Sequence, residues 1–346
     1  MGQLQQIQIV GGGLAGLSLG IGLRLRGIPV FVWESGRYPR HRVCGEFIDG
    51  LGLGTLVRFG LLGKLREGGA RDSVTVATSW GRKLAMAPLL AQPALSISRF
   101  TLDEVLSREF QRLGGELGSG QRWVGEYGPG IVRACGRRVE STADGWRLFG
   151  LKAHARNVSL EADLEMHFVG AGYVGLSRLS DGQVNVCGLF RTKTPVAGLS
   201  FGWREWLRGP AGSLLYSRLV KAQFDDSSFC SVAGLGLRPQ RATRRLECCV
   251  GDALTMIPPL TGNGMSMAFE SAELAVQPLE RFGRGELSWA EAQRQVALAC
   301  DLRFESRLRW AACIQWALFQ PLARGMLLSA ATRSPWLWRT MHGRTR

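Results

Sequence analysis

The chain has 346 residues, of which 45% are hydrophobic and 21% charged. This length allows two domains with sizeable cores, and this composition excludes an intrinsically disordered protein. Lys and Arg exceed Asp and Glu by 15 charges, which favours acidic partners. The arginines are scattered and lack the clustered basic and aromatic residues of nucleic-acid modules, so we expect no nucleic-acid partner.

The cysteines and the uncharged segments bear on the cellular compartment. The eight cysteines form no C-x-x-C pair and no secretory framework, which favours reduced thiols and no metal centre. The long uncharged runs, 84–98 and 310–323, fall short of the roughly 18 residues that a membrane-spanning helix needs. We therefore expect a cytoplasmic protein without a transmembrane segment.

The first 34 residues have the order strand, glycine turn, helix, strand and acid. Residues 6–10 alternate in polarity as a strand does, and residues 17–27 read as a helix that closes on a glycine. A second strand over 28–33 ends on Glu34. The turn between the first strand and the helix reads Gly11-Gly12-Gly13-Leu14-Ala15-Gly16.

This order is typical of a dinucleotide-binding unit. Gly11 permits the tight turn, Gly13 lets the backbone approach a pyrophosphate, and Gly16 allows close packing of helix and strand. Leu14 and Ala15 begin the helix, whose free N–H groups attract phosphate. Glu34, followed by Ser35, stands where an acid binds a ribose hydroxyl, which favours FAD or NAD over NADP at this site.

A second informative stretch covers residues 251–272. Asp252 follows a short strand and is placed to accept hydrogen bonds from a sugar chain. A stiff loop with Pro258 and Pro259 comes next, and then a turn and a helix. The turn and the first helical residues are Gly262, Asn263, Gly264 and Met265. If the helix faces the pyrimidine edge of a flavin, its dipole stabilises the reduced ring.

These motifs resemble those of the para-hydroxybenzoate hydroxylase-like superfamily of FAD-dependent oxidoreductases, especially its geranylgeranyl-reductase-like and halogenase-like branch. The segments that carry the resemblance lie within residues 6–275: the glycine fingerprint with Glu34, the loop 39–45 that reads P-R-H-R-V-C-G, the stretch 98–103, the sheet strands 173–190 and the Gly-Asp loop. The resemblance implies FAD contacts by Arg99, by Arg40 or Arg42 and around Cys44 and Gly45.

Two departures from the superfamily pattern narrow the activity. An Ala-Asp-Gly stretch is replaced by Ala134-Cys135-Gly136, which puts that cofactor contact in doubt. The Trp-x-Trp-x-Ile-Pro signature of the halogenases is missing, which argues against halogenation.

The resulting fold prediction is an α/β protein. It has a discontinuous Rossmann-type FAD-binding domain (1–72, 99–150 and 237–290), an inserted antiparallel β-sheet substrate domain (73–98 and 151–236) and C-terminal helices (291–346).

The sequence leaves the reaction open. We favour a monooxygenase that hydroxylates a hydrophobic aromatic or polyketide-like molecule through a flavin hydroperoxide, with NADH or NADPH as a transient electron donor. The alternatives are a flavin-dependent reductase of carbon-carbon double bonds in a prenyl or other lipophilic substrate and a non-catalytic electron-transfer protein. Cys44, on a basic loop that favours its thiolate, supports the reductase. His154 and His167 are acid-base candidates, and Pro258 is placed at the flavin face.

The C-terminal segment from residue 303 mixes arginines with tryptophans. We favour a helical lid over the substrate domain, and peripheral contact with an anionic membrane is the alternative. The oligomeric state is open.

Overall fold

The structure is a computed structural model that describes residues 4–320 except positions 88, 91, 138–144, 171 and 194–201, together with the isolated positions 323 and 343. The strands are β1 (Ile7–Val10), β2 (Val30–Glu34), β3 (Phe47–Ile48), β4 (Arg71–Ser73), β5 (Val76–Trp80), β6 (Lys83–Met86), β7 (Ala94–Ser96), β8 (Glu116–Ser119), β9 (Ile131–Arg133), β10 (Arg147–Arg156), β11 (Leu164–Val169), β12 (Gly172–Arg178), β13 (Val184–Thr192), β14 (Gln223–Ala233) and β15 (Cys248–Cys249). The helices are α1 (Leu14–Arg24), α2 (Leu51–Arg58), α3 (Leu62–Glu67), α4 (Arg99–Arg112), α5 (Trp203–Arg208), α6 (Leu214–Leu219), α7 (Gly264–Gly283) and α8 (Trp289–Phe319).

A parallel sheet of five strands forms the first layer, in the order β15-β9-β1-β2-β8. Helix α1 is apolar on every side, and its residues Leu14–Leu23 are buried against α7 and α4, as expected of a helix enclosed within a core. The chain passes from β1 through α1 to β2, which lies on one side of β1, and β9 lies on the other side of β1. Ligands bind at such a switch point, beyond the carboxyl ends of the strands.

A seven-stranded sheet in the order β14-β10-β13-β12-β11-β5-β6 forms the second domain. Its neighbouring strands are antiparallel except for β5 and β11, which run parallel, so the expected antiparallel sheet is in fact mixed. The turn between β12 and β13 places Asp181 and Gly182 at φ 56° and 69°, the left-handed pair typical of a tight hairpin. A small antiparallel sheet, β3-β7-β4, joins the two larger ones.

The α/β class and the two-sheet organisation are as predicted. The predicted boundary at residue 150 lies within β10, and β7, from the predicted segment 73–98, belongs to the small sheet. Helices α2 and α3 are separated at Gly60, whose φ is 68°. Most of the C-terminal tail lies outside the described residues, and no helix among the described ones is long and apolar enough to cross a membrane.

Candidate active site

One cavity of about 1060 Å³ runs from the glycine fingerprint to the face of the large sheet. Its first part is bounded by the carboxyl end of β1, the N-terminus of α1 and the loop between β2 and β3. Its second part is bounded by β11, β12, β13 and β14, by the loop before α7 and by the end of α8. A volume of this size is at the upper end for a small-molecule site and suits a cofactor together with a second molecule.

The three fingerprint glycines meet three different surroundings. A Cβ at Gly11, whose φ is 113°, would lie 2.4 Å from the carbonyl oxygen of Ala134, and a Cβ at Gly16 would lie 1.9 Å from that of Gly11. Both positions are therefore closed by backbone. A Cβ at Gly13 would meet nothing within 4 Å, and Gly13 lines the cavity. The open space lies where the fingerprint brings backbone up to a phosphate.

Glu34 is buried and held by several donors. Its carboxylate accepts hydrogen bonds from the backbone N–H of Gly12 at 2.8 Å and of Gly36 at 2.7 Å, and Arg40 is paired with it at 2.6 Å. Although burial opposes ionisation, the Arg40 guanidinium and the two N–H groups lower the pKa of Glu34 to about 2. Glu34 also lines the cavity, so a charged acid stands at the end expected to hold a ribose.

Arg40 and Arg42 have different environments. Arg40 is bound to Glu34 and donates to the carbonyl oxygen of Gly12 at 3.3 Å, and it does not line the cavity. Arg42 does line it and has no ion pair or hydrogen bond with any residue that the structure describes. Enclosure by protein and the nearby charge of Arg40 lower the pKa of Arg42. Of these two arginines, Arg42 is therefore the one whose guanidinium is free to bind an anion.

Arg99 lines the cavity but already has a partner. Its guanidinium makes a two-fold ion pair with Asp103, at 2.7 and 3.0 Å, on the first turn of α4, which is capped by Ser98. Its backbone N–H donates to Glu46 at 2.9 Å. The superfamily contact that the resemblance implies for Arg99 is thus limited to the part of the guanidinium that Asp103 does not occupy.

Asp252 lines the cavity and accepts no hydrogen bond within the described part of the chain. Its enclosure raises the pKa of its carboxyl from 3.8 to about 6, against the opposing charges of Arg99 and Arg137. A carboxyl in this state lacks donors, and a ligand with hydroxyl groups would supply them.

Cys44 also lines the cavity, but its ionisation is opposite to the expectation. Enclosure by protein raises the pKa of the Cys44 thiol, and the charge of Arg99 offsets this only in part. The expected thiolate is therefore wrong, because desolvation outweighs the basic loop. Burial likewise raises the pKa of Cys187, which lies against the Cys44 backbone. On the cavity wall, Cys44 and Cys187 are therefore neutral thiols.

Of the remaining predicted residues, some line the cavity and others do not. Those that line it are Leu14, Ala15, Ser35, Gly45, Pro259, Gly262, Gly264 and Met265. Gly16, Asn263 and Pro258 do not line it and are packed behind it. His154 is buried and does not line it either. His167 lies on the opposite face of the sheet, bonded to Ser79 and Glu165.

Sequence reasoning missed a buried group beneath the loop. Glu46 is fully buried in the left-handed region, at φ 55°. Its carboxylate lies 2.7 Å from Nε2 of His154 and 3.3 Å from Nζ of Lys152. Lys152 and His154 alternate within the otherwise apolar run 149–155, and two polar residues at every second position of a strand are the signal that could have revealed them.

The second part of the cavity is mainly apolar. Its wall from the sheet includes Leu164, Met166, Phe168, Tyr173, Leu189 and Val232. Ile314 and Leu318, one helical turn apart on α8, close it from the other side. The hydroxyl of Tyr173 donates to Gln315 at 3.3 Å. This part suits a hydrophobic molecule.

Comparison with solved structures finds the same fold in flavoproteins. A geranylgeranyl bacteriochlorophyll reductase-like protein of Thermoplasma acidophilum is 16% identical over 96% of this chain and 92% of its own, with a TM-score of 0.73. A variant of the halogenase PltM in complex with FAD is 14% identical over 99% and 83%, with a TM-score of 0.72. The flavin-dependent brominase Bmp2 is 16% identical over 96% and 94%, with a TM-score of 0.66.

No protein-family model and no curated protein matches the chain. At these identities the likeness shows the fold alone, and that fold is the one the sequence motifs predicted.

Proposed function

We propose that this protein is an FAD-dependent oxidoreductase that acts on a hydrophobic small molecule. The observation that carries the proposal is the continuity of the cavity, which begins at Gly13 and Glu34 and ends at the apolar face of the large sheet. A dinucleotide held at the first end would extend toward a molecule held at the second. The same fold occurs in the flavin-dependent brominase Bmp2 and in the halogenase PltM in complex with FAD, which supports this reading.

The residues present fit FAD. The space beside Gly13 and the free N–H groups of α1, which has no acid in its first turn, suit a pyrophosphate. Arg42 supplies a guanidinium without an acceptor in the described chain. Asp252 supplies an acceptor for a hydroxyl, and the N-terminus of α7 at Gly264 supplies a partial positive charge.

For the reaction we propose monooxygenation of an aromatic or polyketide-like substrate. Bound FAD would supply the redox chemistry and the activation of oxygen, with NADH or NADPH as the electron donor. The protein contributes orientation and the exclusion of water, which the apolar walls around Phe168 and Leu189 favour. We do not propose halogenation, because the halogenase signature is missing from the sequence.

Reduction of a carbon-carbon double bond is the second candidate, and one observation favours it. Cys44 is a neutral thiol on the cavity wall, and a protonated group at this position is able to deliver the proton that such a reduction requires. The two candidates therefore differ in whether the reaction requires the thiol of Cys44.

The test is reduction of the purified protein under anaerobic conditions with NADH, NADPH or dithionite, followed by admission of oxygen with a panel of aromatic and prenylated compounds. A product heavier by one oxygen atom supports the monooxygenase, and one heavier by two hydrogen atoms supports the reductase. Flavin that cycles without any substrate dependence supports an electron-transfer protein. A preparation that binds no flavin overturns the whole proposal.

Gly175→Leu provides a matched control. Gly175 lines the sheet part of the cavity, and a Cβ there would make ordinary contacts with the Met166 side chain, at 3.6 Å, and with the carbonyl oxygen of Cys187, at 3.8 Å. The larger side chain should fill the substrate part and abolish substrate-dependent turnover, while FAD content stays at the wild-type level. Loss of FAD in this variant would contradict the division of the cavity into two parts.

For the C-terminal segment we propose a lid, supported by Ile314 and Leu318 in the cavity wall. Flotation with anionic liposomes, with and without residues 303–346, tests the alternative of membrane contact. Equal soluble fractions support the lid.

A further inference from the structure

Four titratable side chains meet where the loop after β2 crosses the large sheet. Lys152 is fully buried on β10, and its Nζ lies 3.1 Å from Nδ1 of His41 and 3.3 Å from Oε1 of Glu46. His154, two residues further along the strand, lies 2.7 Å from the other carboxylate oxygen of Glu46. The rings of His41 and His154 are 5.1 Å apart, edge to face.

The ion pair in this cluster determines which group donates to His41. Although burial opposes ionisation, the hydrogen bond from His154 and the charge of Lys152 lower the pKa of Glu46, so it is a carboxylate. Nζ of Lys152 is ion-paired with that carboxylate at 3.3 Å, and the ammonium of an ion pair has three donors and no acceptor. The contact at 3.1 Å therefore requires Nδ1 of His41 to be the acceptor.

An imidazole that accepts at Nδ1 is neutral and carries its only proton on Nε2. Burial and the charges of Lys152 and His154 lower the pKa of His41 to about 4, against the opposing charges of Glu46 and Asp225. His41 thus stays neutral at physiological pH. Because Nδ1 faces the buried Lys152 and His41 lines the cavity, the Nε2–H group lies on the side of the ring away from the lysine.

We propose that His41 is a neutral hydrogen-bond donor, fixed as the Nε2–H tautomer by Lys152, that binds an oxygen or nitrogen acceptor of the molecule in the cavity. Phe100 packs on the ring with centroids 4.7 Å apart and restricts its orientation. A neutral imidazole is a suitable electrophile for a carbonyl or phenolic oxygen, because it polarises the acceptor without bringing a charge into the cavity.

The acceptor belongs to one of two molecules that share this chemistry, the flavin ring with its carbonyls or a substrate with a carbonyl or phenolic oxygen. This part of the inference rests on the proposed function. The tautomer of His41 does not, because protein atoms alone determine it. The two parts are tested separately.

The tautomer is tested by long-range ¹H–¹⁵N correlation spectra of the protein labelled with ¹⁵N-histidine, recorded from pH 5.5 to 9. We expect His41, assigned by its loss in His41→Phe, to show the Nε2–H pattern without titrating in this range. In Lys152→Met the constraint is removed, and His41 should titrate at higher pH than in the wild type. An Nδ1–H pattern in the wild type, or a wild-type pKa above about 6, overturns the proposal.

The acceptor is tested by adding FAD to the flavin-free protein and then 4-hexylphenol to the FAD-loaded protein. A shift of the His41 Nε2 resonance in the first step assigns the acceptor to the flavin, and a shift in the second assigns it to the phenol. His41→Phe should weaken binding of the same molecule about fivefold. His41→Gln, which keeps an N–H donor, should bind within about twofold of the wild type.

Two controls separate this effect from general damage. Hexylbenzene lacks the oxygen and should bind equally to the wild type and to His41→Phe. His167→Asn alters a histidine on the opposite face of the sheet and should leave both affinities unchanged. If neither molecule shifts the resonance and His41→Phe binds both as tightly as the wild type, His41 is not a ligand-binding donor and the proposal is wrong.

Discussion

The two faces of the large sheet carry similar groups in different surroundings. On the cavity side, Glu46 is paired with His154 and Lys152. On the opposite side, Glu165 is paired with His167 at 2.9 Å and with Arg218 of α6 at 3.2 Å. The first cluster reaches the cavity through His41. The second cluster is completed by Ser79, which is bonded to His167 at 2.5 Å. This cluster has no access to the cavity.

The difference shows that residue type alone does not identify a functional group in this fold. A Ser-His-Glu set resembles a nucleophilic site, yet Ser79, His167 and Glu165 are all buried and line no part of the cavity. Their hydrogen bonds satisfy one another, which is the role of a structural network. By contrast, Arg42 and Asp252 line the cavity and have hydrogen-bonding groups without a protein partner in the described chain.

Removal of the Glu165 carboxylate should have the largest effect on stability. Glu165→Ala leaves His167 and Arg218 without their buried partner, and we expect a loss of about 3–5 kcal/mol in the free energy of unfolding. Urea denaturation measures it. The FAD affinity of the folded fraction should not change, and a large change in affinity at unchanged stability would reverse the roles of the two faces.

Lys152→Met makes the corresponding change on the cavity side. Glu46 keeps the hydrogen bonds from His154 and from the backbone N–H of Arg99, so we expect a smaller loss, about 2–3 kcal/mol. Unlike the change on the other face, this one should also alter the binding of molecules in the cavity. Urea denaturation together with titration of FAD measures both, and binding identical to the wild type would contradict the comparison.

The same contrast holds within the glycine fingerprint. Gly16→Ala forces a Cβ against the backbone of Gly11 and should cost about 2 kcal/mol of stability. Gly13→Ala meets open space, so the fold should be preserved while the added methyl group weakens FAD binding about tenfold. Thermal unfolding and flavin titration of the two variants measure this. Equal effects of both on stability would show that Gly13 does not face a ligand.

Two acids on the cavity wall should give opposite pH dependences of stability. The pKa of Glu34 is lowered from 4.5 to about 2, so its stabilisation is complete above pH 4.5 and is lost as pH falls toward 2. The pKa of Asp252 is raised from 3.8 to about 6, so its contribution is present below pH 3.8 and is lost as pH rises through 6.

Glu34→Gln should flatten the acid side of the stability curve, and Asp252→Asn should remove the decline between pH 3.8 and 6. Urea denaturation across this range measures both slopes. If Asp252→Asn leaves that slope as it is in the wild type, Asp252 has partners other than those described.

The two arginines of the loop should show the smallest effect. Arg42→Gln removes a guanidinium without an acceptor in the described chain and should weaken FAD binding about fivefold, with less than about 0.5 kcal/mol change in stability. Arg40→Gln leaves Glu34 with fewer donors and should lower stability as well. Flavin titration and thermal unfolding of the pair distinguish the roles, which are exchanged if Arg40→Gln alone lowers the affinity.

The sequence predicted those features that depend on local order. The fingerprint and its helix follow from residues that are close in the chain. No strand was predicted over 147–156 because Lys152 and His154 interrupt the apolar pattern. The groups that compensate their burial, Glu46 and His41, lie more than 100 residues away in the chain. The thiol of Cys44 was assigned the wrong ionisation because its charged neighbours are visible in the sequence, whereas its enclosure by other segments is not.

The backbone of Glu46 has a consequence for engineering this protein. A non-glycine residue at φ 55° costs about 1–2 kcal/mol, so Glu46→Gly would be chosen by a search for thermal stability based on backbone preference alone. The same substitution would remove the only carboxylate that Lys152 is paired with in the described chain. Because loss of a buried ion-pair partner costs about 3–5 kcal/mol, the substitution should lower the thermal stability despite the relaxed backbone, and it should also release the geometry of His41.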